Sequence, residues 1–181
     1  MGKPADTAKA HSVFATEDWT PFPLEQVFGF FSQPENLPRL MPPSARVRLE
    51  QLRLRPAAED PRGLAAGVGS EVLIRFAPLP GLPLRARWTA RIVEFAWLSH
   101  FVDEQVEGPF VRFRHRHGFA RQRRQGVAGT VDGTVVSDRV EFVLPAGWLG
   151  QLALPLLRRE LGRQFAARQR RLPELLKAAT R

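Results

Sequence analysis

The sequence predicts an α+β domain in which a curved antiparallel sheet of about seven strands wraps around one long C-terminal helix, with two short helices after the first strand. Three observations predict it. Strand-like alternation recurs in segments parted by Gly and Pro. Every connection between strands except the first is short, and the chain closes on a long helical pattern with one broad apolar face. Short connections favour antiparallel neighbours, because a parallel pair needs a crossover of a dozen or more residues. A helix with an apolar face needs a sheet to lie on.

Residues 1–10 lack an apolar run and read as a disordered tail, and residues 11–179 as a single domain. Residues 11–19, HSVFATEDW, alternate as a first strand. Pro21 and Pro23 then open a short helix with Leu24, Val27, Phe28 and Phe31 at helical spacing. PENLPRLM, 34–41, reads as a second short helix stopped by Pro42 and Pro43. Strands are expected over 45–55, 69–77, 84–95, 98–106, 110–120 and 134–144, with a long mobile hairpin loop over 122–133. In the final helix, 149–179, Leu149, Leu152, Leu156, Leu161, Phe165 and Leu172 share one face; Pro155 is expected to kink it or mark its start, and Pro173 to break its last turns.

The chain has 181 residues, no cysteine and a formal charge of +9. Without cysteine there is no disulfide framework, thiolate nucleophile or cysteine-based metal site. No secretory signal and no transmembrane-length apolar run is visible, which predicts a cytoplasmic protein without a transmembrane segment. The positive charge is almost all arginine, spread among acidic neighbours; charge alone supplies only non-specific affinity, so no specific nucleic-acid partner is expected. No residue pattern speaks to oligomeric state.

GPFVRFRHRHGFARQ, 108–122, carries Arg112, Arg114 and Arg116 on one face of a strand and Phe113, His115 and His117 on the other. A two-residue turn at Gly108-Pro109 sets Asp103 opposite Arg114 on the charged face. It sets Glu104 opposite Phe113, Val102 opposite His115 and His100 opposite His117 on the second face. A three-residue loop at 96–98 sets Arg91 opposite Asp103 and puts Trp88 and Ile92 on that second face as well. The arginine row is then the solvated outside. The inner face collects Trp88, Ile92, His100, Glu104, Phe113, His115 and His117, joined from the last strand by Asp138, Val140 and Phe142.

Buried polar groups among aromatics suit a cavity that orients a mainly apolar ligand, and these ten residues are the predicted ligand-binding set. A His–Asp pair also suits acid–base chemistry, for which His115, His117 and Asp138 are the catalytic candidates. A metal on the H-x-H pair would need His100 or Asp138 as a further ligand; with no cysteine and no helix-borne metal motif, neither a metal nor another cofactor is expected. Phe30, Phe31, Leu37 and Leu79 are read either as a lid at the cavity entrance, beside the 78–83 loop, or as core.

PLEQVFGFFSQPENLPRLMPP, GVGSEVLIRF, LPLRARWTARIVEF, GPFVRFRHRHGF, SDRVEFVLP and the closing LRRELGRQFAARQRRL resemble the START-like, or SRPBCC, superfamily. This superfamily includes polyketide cyclases/dehydratases and Bet v 1-like proteins, and within it the chain looks like the bacterial ligand-binding SRPBCC domains. The resemblance implies a helix-grip fold and a ligand site between sheet and helix, with His115, His117 and Asp138 at its matching positions. Phe113 stands where that group often has Trp. The expected function is binding of a hydrophobic small molecule; the alternative is a cyclase- or dehydratase-like enzyme acting on a carbonyl compound.

Overall fold

The computed structural model describes residues 11–78, 84–126 and 129–179. The tail expected over 1–10, and Leu79 with most of the 78–83 loop, lie outside them. Seven strands form one antiparallel sheet in the order β1-β7-β6-β5-β4-β3-β2. They are β1 (Ser12–Thr20), β2 (Arg48–Arg53), β3 (Glu71–Phe76), β4 (Ala86–Ala96), β5 (His100–Glu107), β6 (Arg112–Gly126) and β7 (Gly129–Val143). The edge strands β1 and β2 are consecutive in sequence. The segment between them, α1 (Leu24–Phe31), a 3-10 turn, α2 (Leu37–Leu40) and a second 3-10 turn, therefore crosses the whole width of the sheet. The last element, α3 (Gly147–Ala179), packs against β1, α1 and α2. No helix among the described residues is long and apolar enough to cross a membrane.

Pro23 precedes the first turn of α1 with extended backbone, as expected for a proline at a helix start. The apolar spacing of α1 then places Phe28 at the centre of an aromatic cluster: the rings of Phe95, Trp97, Phe101 and Phe119 meet it edge-on at 5.6, 5.2, 6.3 and 5.1 Å. Burying one such ring contributes about 1.5–3 kcal/mol. Phe30 and Phe31 belong to this same core with Leu172 and Leu176 of α3, so the core reading of the two phenylalanines holds over the lid reading. A second apolar cluster gathers Phe113, Val140, Phe142 and Phe165, with Trp88, Leu157 and Leu161 packed against it.

Three expectations are corrected. The segment 122–133 is not a mobile loop: β6 and β7 stay paired from Gln122↔Gly133 out to Gly126↔Gly129. Arg123 bonds Asp132 at 2.7 Å and the Trp19 indole N–H donates to the Gln122 carbonyl at 3.0 Å, so a charged, glycine-containing stretch is a hairpin arm. Helix α3 begins at Gly147, so Pro155 does not mark its start, and it runs through Pro173, where its last turns were expected to break. The third correction is the register of β5. Glu104, not Asp103, lies opposite Arg114, and Asp103 lies opposite His115. The β5–β6 connection is longer than two residues because the Gln105 amide spans it, donating to the Phe110 carbonyl at 2.8 Å and accepting the Phe110 N–H at 3.3 Å. On the other side, irregularities between Ile92 and Glu94 and between Thr89 and Ala90 shift β5 against β4, so Arg91 faces Glu104.

Candidate functional site

A one-residue shift exchanges the faces of a strand. His100 and Glu104, expected on the inner face, therefore stand on the outer one. Glu104 pairs with Arg114, while His100 lies 3.1 Å from the Ser99 hydroxyl and 4.0 Å from Glu94. Asp103 takes their place inside. Trp88, Ile92, Phe113, His115, His117, Asp138, Val140 and Phe142 are on the inner side as expected, though Val140 and Phe142 are wholly enclosed in the second apolar cluster.

The polar groups gather at the seam between the two apolar clusters. His117 stacks on Phe101 at 4.3 Å, the His115 ring meets Phe165 edge-on at 5.6 Å, and the two imidazole centroids are 3.7 Å apart. His115 Nε2 lies 2.8 Å from Asp138 Oδ1. His117 Nε2 lies 3.1 Å from Asp103 Oδ2, and its Nδ1 is 3.2 Å from Asp138 Oδ1 without hydrogen-bond geometry. Asp138 is buried on β7, directly opposite His117.

From above, Arg168 of α3 closes the network with both terminal nitrogens on the Asp138 carboxylate, Nη1 at 3.0 Å from Oδ1 and Nη2 on Oδ2. The guanidinium also lies 4.6 Å from the Phe165 ring centroid and 5.2 Å from that of Phe31, so it is held by two aromatic faces as well as by charge. Sequence reasoning missed both Asp103 and Arg168. Arg168 had a legible signal: it falls on the apolar stripe Phe165, Leu172, Leu176, and a charge on such a stripe must find a buried partner. Asp103 had none, because its face depends on the loop length.

Burial pushes the Asp138 carboxyl up, but Arg168 and the two imidazoles outweigh burial and hold it well below the usual carboxylate range. Burial, reinforced by its neighbour His117, lowers His115. Burial works against charge on His117 too, yet the Asp103 and Asp138 carboxylates prevail and raise it. The site thus holds one imidazole biased to neutrality beside one biased to charge.

Beside the network, the inner face of β2–β4 is apolar and incompletely covered. Leu49, Ile74 and Trp88 are register partners, as are Leu52, Val72 and Ala90, and all six are half-buried. The Trp88 ring meets Phe113 edge-on at 4.4 Å, while its buried Nε1 has no hydrogen-bond partner. A groove of about 470 Å³ on the other side of the sheet, lined by Arg53, Arg55, Glu71 and Arg91, has a charged rim and none of these groups.

The sequence matches the family of polyketide cyclases/dehydrases and lipid transport proteins over residues 20–170. The chain belongs to that family. No curated protein matches it. Among solved structures, this family member is similar to TTHA0849 from Thermus thermophilus, with 20% identity and a TM-score of 0.61 over 94% of this chain and 100% of that one. It is also similar to the di-domain ARO/CYC BexL of the BE-7585A biosynthetic pathway, with 15% identity and a TM-score of 0.60 over 93% of this chain and 50% of that one. A START superfamily protein from Mycobacterium smegmatis gives 11% identity and a TM-score of 0.57 over 94% and 99% of the two chains. At these identities the likeness shows the fold, which is the helix-grip fold of the START and Bet v 1-like superfamily.

Proposed function

We propose that this polyketide cyclase/dehydrase and lipid transport family protein binds a mainly apolar small molecule between the inner sheet face and α3. The observation that carries the reading is the half-buried row Leu49, Leu52, Val72, Ile74, Trp88 and Ala90, with an unpaired indole N–H in its midst. A concave apolar surface lacking its full cover is what a small-molecule site presents, and a buried donor without an acceptor favours a ligand that brings one. Phe113 and Ile92 continue the wall toward the polar seam. The fluorescent probe anilinonaphthalene sulfonate tests this. The folded protein is expected to bind it saturably, Ile74→Glu to abolish binding, and His115→Ala or His117→Ala to leave it within about threefold. Absence of saturable binding, or binding indifferent to Ile74→Glu, overturns the reading.

A second reading is favoured by one distance. His115 Nε2 at 2.8 Å from the locked Asp138 fixes that nitrogen as the donor and leaves Nδ1 as a free base. Such a base suits removal of a proton next to a carbonyl, the chemistry of a cyclase or dehydratase. An Asp138→Asn variant is then expected to lose turnover of a linear poly-β-ketone substrate while keeping probe binding. Turnover unchanged in that variant would sink the enzymatic reading and leave binding intact.

A further inference from the structure

We propose that Asp103, His115 and His117 form a three-ligand site for a divalent first-row transition-metal ion. Ligand atoms converge: Asp103 Oδ2 lies 3.1 Å from His117 Nε2 and 4.0 Å from His115 Nδ1, and the three residues bring one ligand atom each within 4.8 Å of one another. An ion bonded at 2.0–2.2 Å to imidazole nitrogen and carboxylate oxygen spaces neighbouring tetrahedral ligands by about 3.3–3.5 Å. Small rotations of two imidazoles and one carboxylate reach that spacing.

The surroundings add an independent argument. Both remote ring nitrogens, His115 Nε2 and His117 Nδ1, converge on one oxygen, Asp138 Oδ1, at 2.8 and 3.2 Å. Asp138 is itself locked by Arg168. Ligating histidines characteristically give their second N–H to a carboxylate, which fixes tautomer and ring orientation. Here one carboxylate bonds the His115 ring and lies 3.2 Å from His117 Nδ1.

Without an ion one contact of the site fits poorly. When His115 donates from Nε2 to Asp138, its Nδ1 lone pair faces the Asp103 carboxylate, acceptor toward acceptor. His117 faces a carboxylate at each ring nitrogen, Asp103 Oδ2 at 3.1 Å from Nε2 and Asp138 Oδ1 at 3.2 Å from Nδ1. A cation among Asp103 Oδ2, His115 Nδ1 and His117 Nε2 removes the conflict at His115. An ion on His117 Nε2 leaves that ring its single N–H at Nδ1, 3.2 Å from Asp138 Oδ1.

The donor set of two imidazoles and one carboxylate suits zinc, iron(II) or cobalt(II) rather than magnesium or calcium, which prefer all-oxygen shells. Three protein ligands leave a coordination position open. The Asp103 side chain keeps 18% of its surface exposed, the most of the three, and its register partner on β4 is Ile92 of the inner wall. The ligands differ from those considered from sequence alone: His100 is on the opposite face, and Asp138 is committed to Arg168.

The test is titration of chelator-stripped full-length protein with cobalt(II), read by visible absorption and calorimetry, with zinc competition. One ion per chain is expected, displaced by zinc. Asp103→Asn, which preserves size, and His117→Ala are each expected to weaken binding more than about tenfold, and Asp138→Asn by about 10–100-fold. His100→Ala and His11→Ala should not change it. Circular dichroism on each variant separates ligand loss from unfolding. No stoichiometric binding, or binding equally tight in folded Asp103→Asn, overturns the proposal. Neither readout depends on an apolar ligand, so failure here leaves the probe-binding result standing.

Discussion

The Asp60 carboxylate accepts the backbone N–H groups of Arg62, Leu64 and Ala65 at 3.0, 2.8 and 2.7 Å and so ties down the loop between β2 and β3. Burial pushes this carboxyl up, but the three amides and the nearby Arg62 outweigh it and bring it below its ordinary value. A carboxyl lowered on folding stabilises the native state above its unfolded value and loses that contribution as pH falls through the folded one. Asp60→Asn is therefore expected to cost about 1.5–3 kcal/mol near neutral pH in urea unfolding. Its gap to wild type should close as pH falls below about 4; a gap unchanged with pH would mean shape, not charge, is what matters there. The Asp138–Arg168 pair makes a sharper case. Arg168→Met strands a buried carboxylate and is expected to cost about 3–5 kcal/mol, whereas Arg168→Met combined with Asp138→Asn recovers much of that loss. Thermal and urea unfolding of the two singles and the double decide it. Residue chemistry was legible where it followed from type and periodicity: His115, His117 and Asp138 share a face because the strand period is two. Asp103 was not legible, since a single residue of loop length decides which of Asp103 and Glu104 turns inward.

At the scale of elements, existence was easier to read than register or extent. Alternation and helical spacing located every strand and helix because burial on one face imposes those periods. They do not encode bulges, and the two irregularities of the β4–β5 pair moved a whole set of cross-strand partners. The β6–β7 arm escapes periodicity for a related reason: with apolar residues sparse there, backbone pairing, the Arg123–Asp132 bond and the Trp19 contact hold it, none of which leaves a periodic trace. Gly133 shows how closely β1 approaches this arm. A Cβ there would run into the Thr20 carbonyl oxygen and stand 2.5 Å from the Trp19 ring. Gly133→Ala is thus expected to destabilise by about 1–3 kcal/mol. Gly162, inside α3 with nothing within 4 Å of an added Cβ, is the control. Gly162→Ala should stabilise by about 0.5–1 kcal/mol, because it removes backbone freedom from the unfolded chain and strains nothing. Equal effects of the two substitutions in denaturant unfolding would contradict the close packing of β1 on β7.

For the whole molecule, the charge of +9 raises the question of an anionic partner. On the outer sheet face the arginines are interlaced with acids: Glu50 takes Arg75 and Arg87, Glu71 takes Arg53 and Arg91, and Glu94 takes Arg114 and Arg116. A face so paired offers a polyanion little uncompensated charge, and the exposed arginines beyond it are divided between the hairpin arm, with Arg124, and α3, with Arg158, Arg159 and Arg170. On α3, Leu152 and Leu156 stand 71% and 54% exposed shortly before Arg158 and Arg159 in the sequence, a mixed surface rather than a basic stripe. The field is therefore diffuse, and diffuse charge gives affinity through released counterions without reading sequence. Anisotropy with a fluorescent DNA duplex is expected to show weak binding at about 50 mM salt that disappears by about 200 mM, with no preference among duplex sequences. Tight binding that survives the higher salt, or that discriminates between sequences, would require a built contact surface. It would then give the outside of the sheet a binding role of its own.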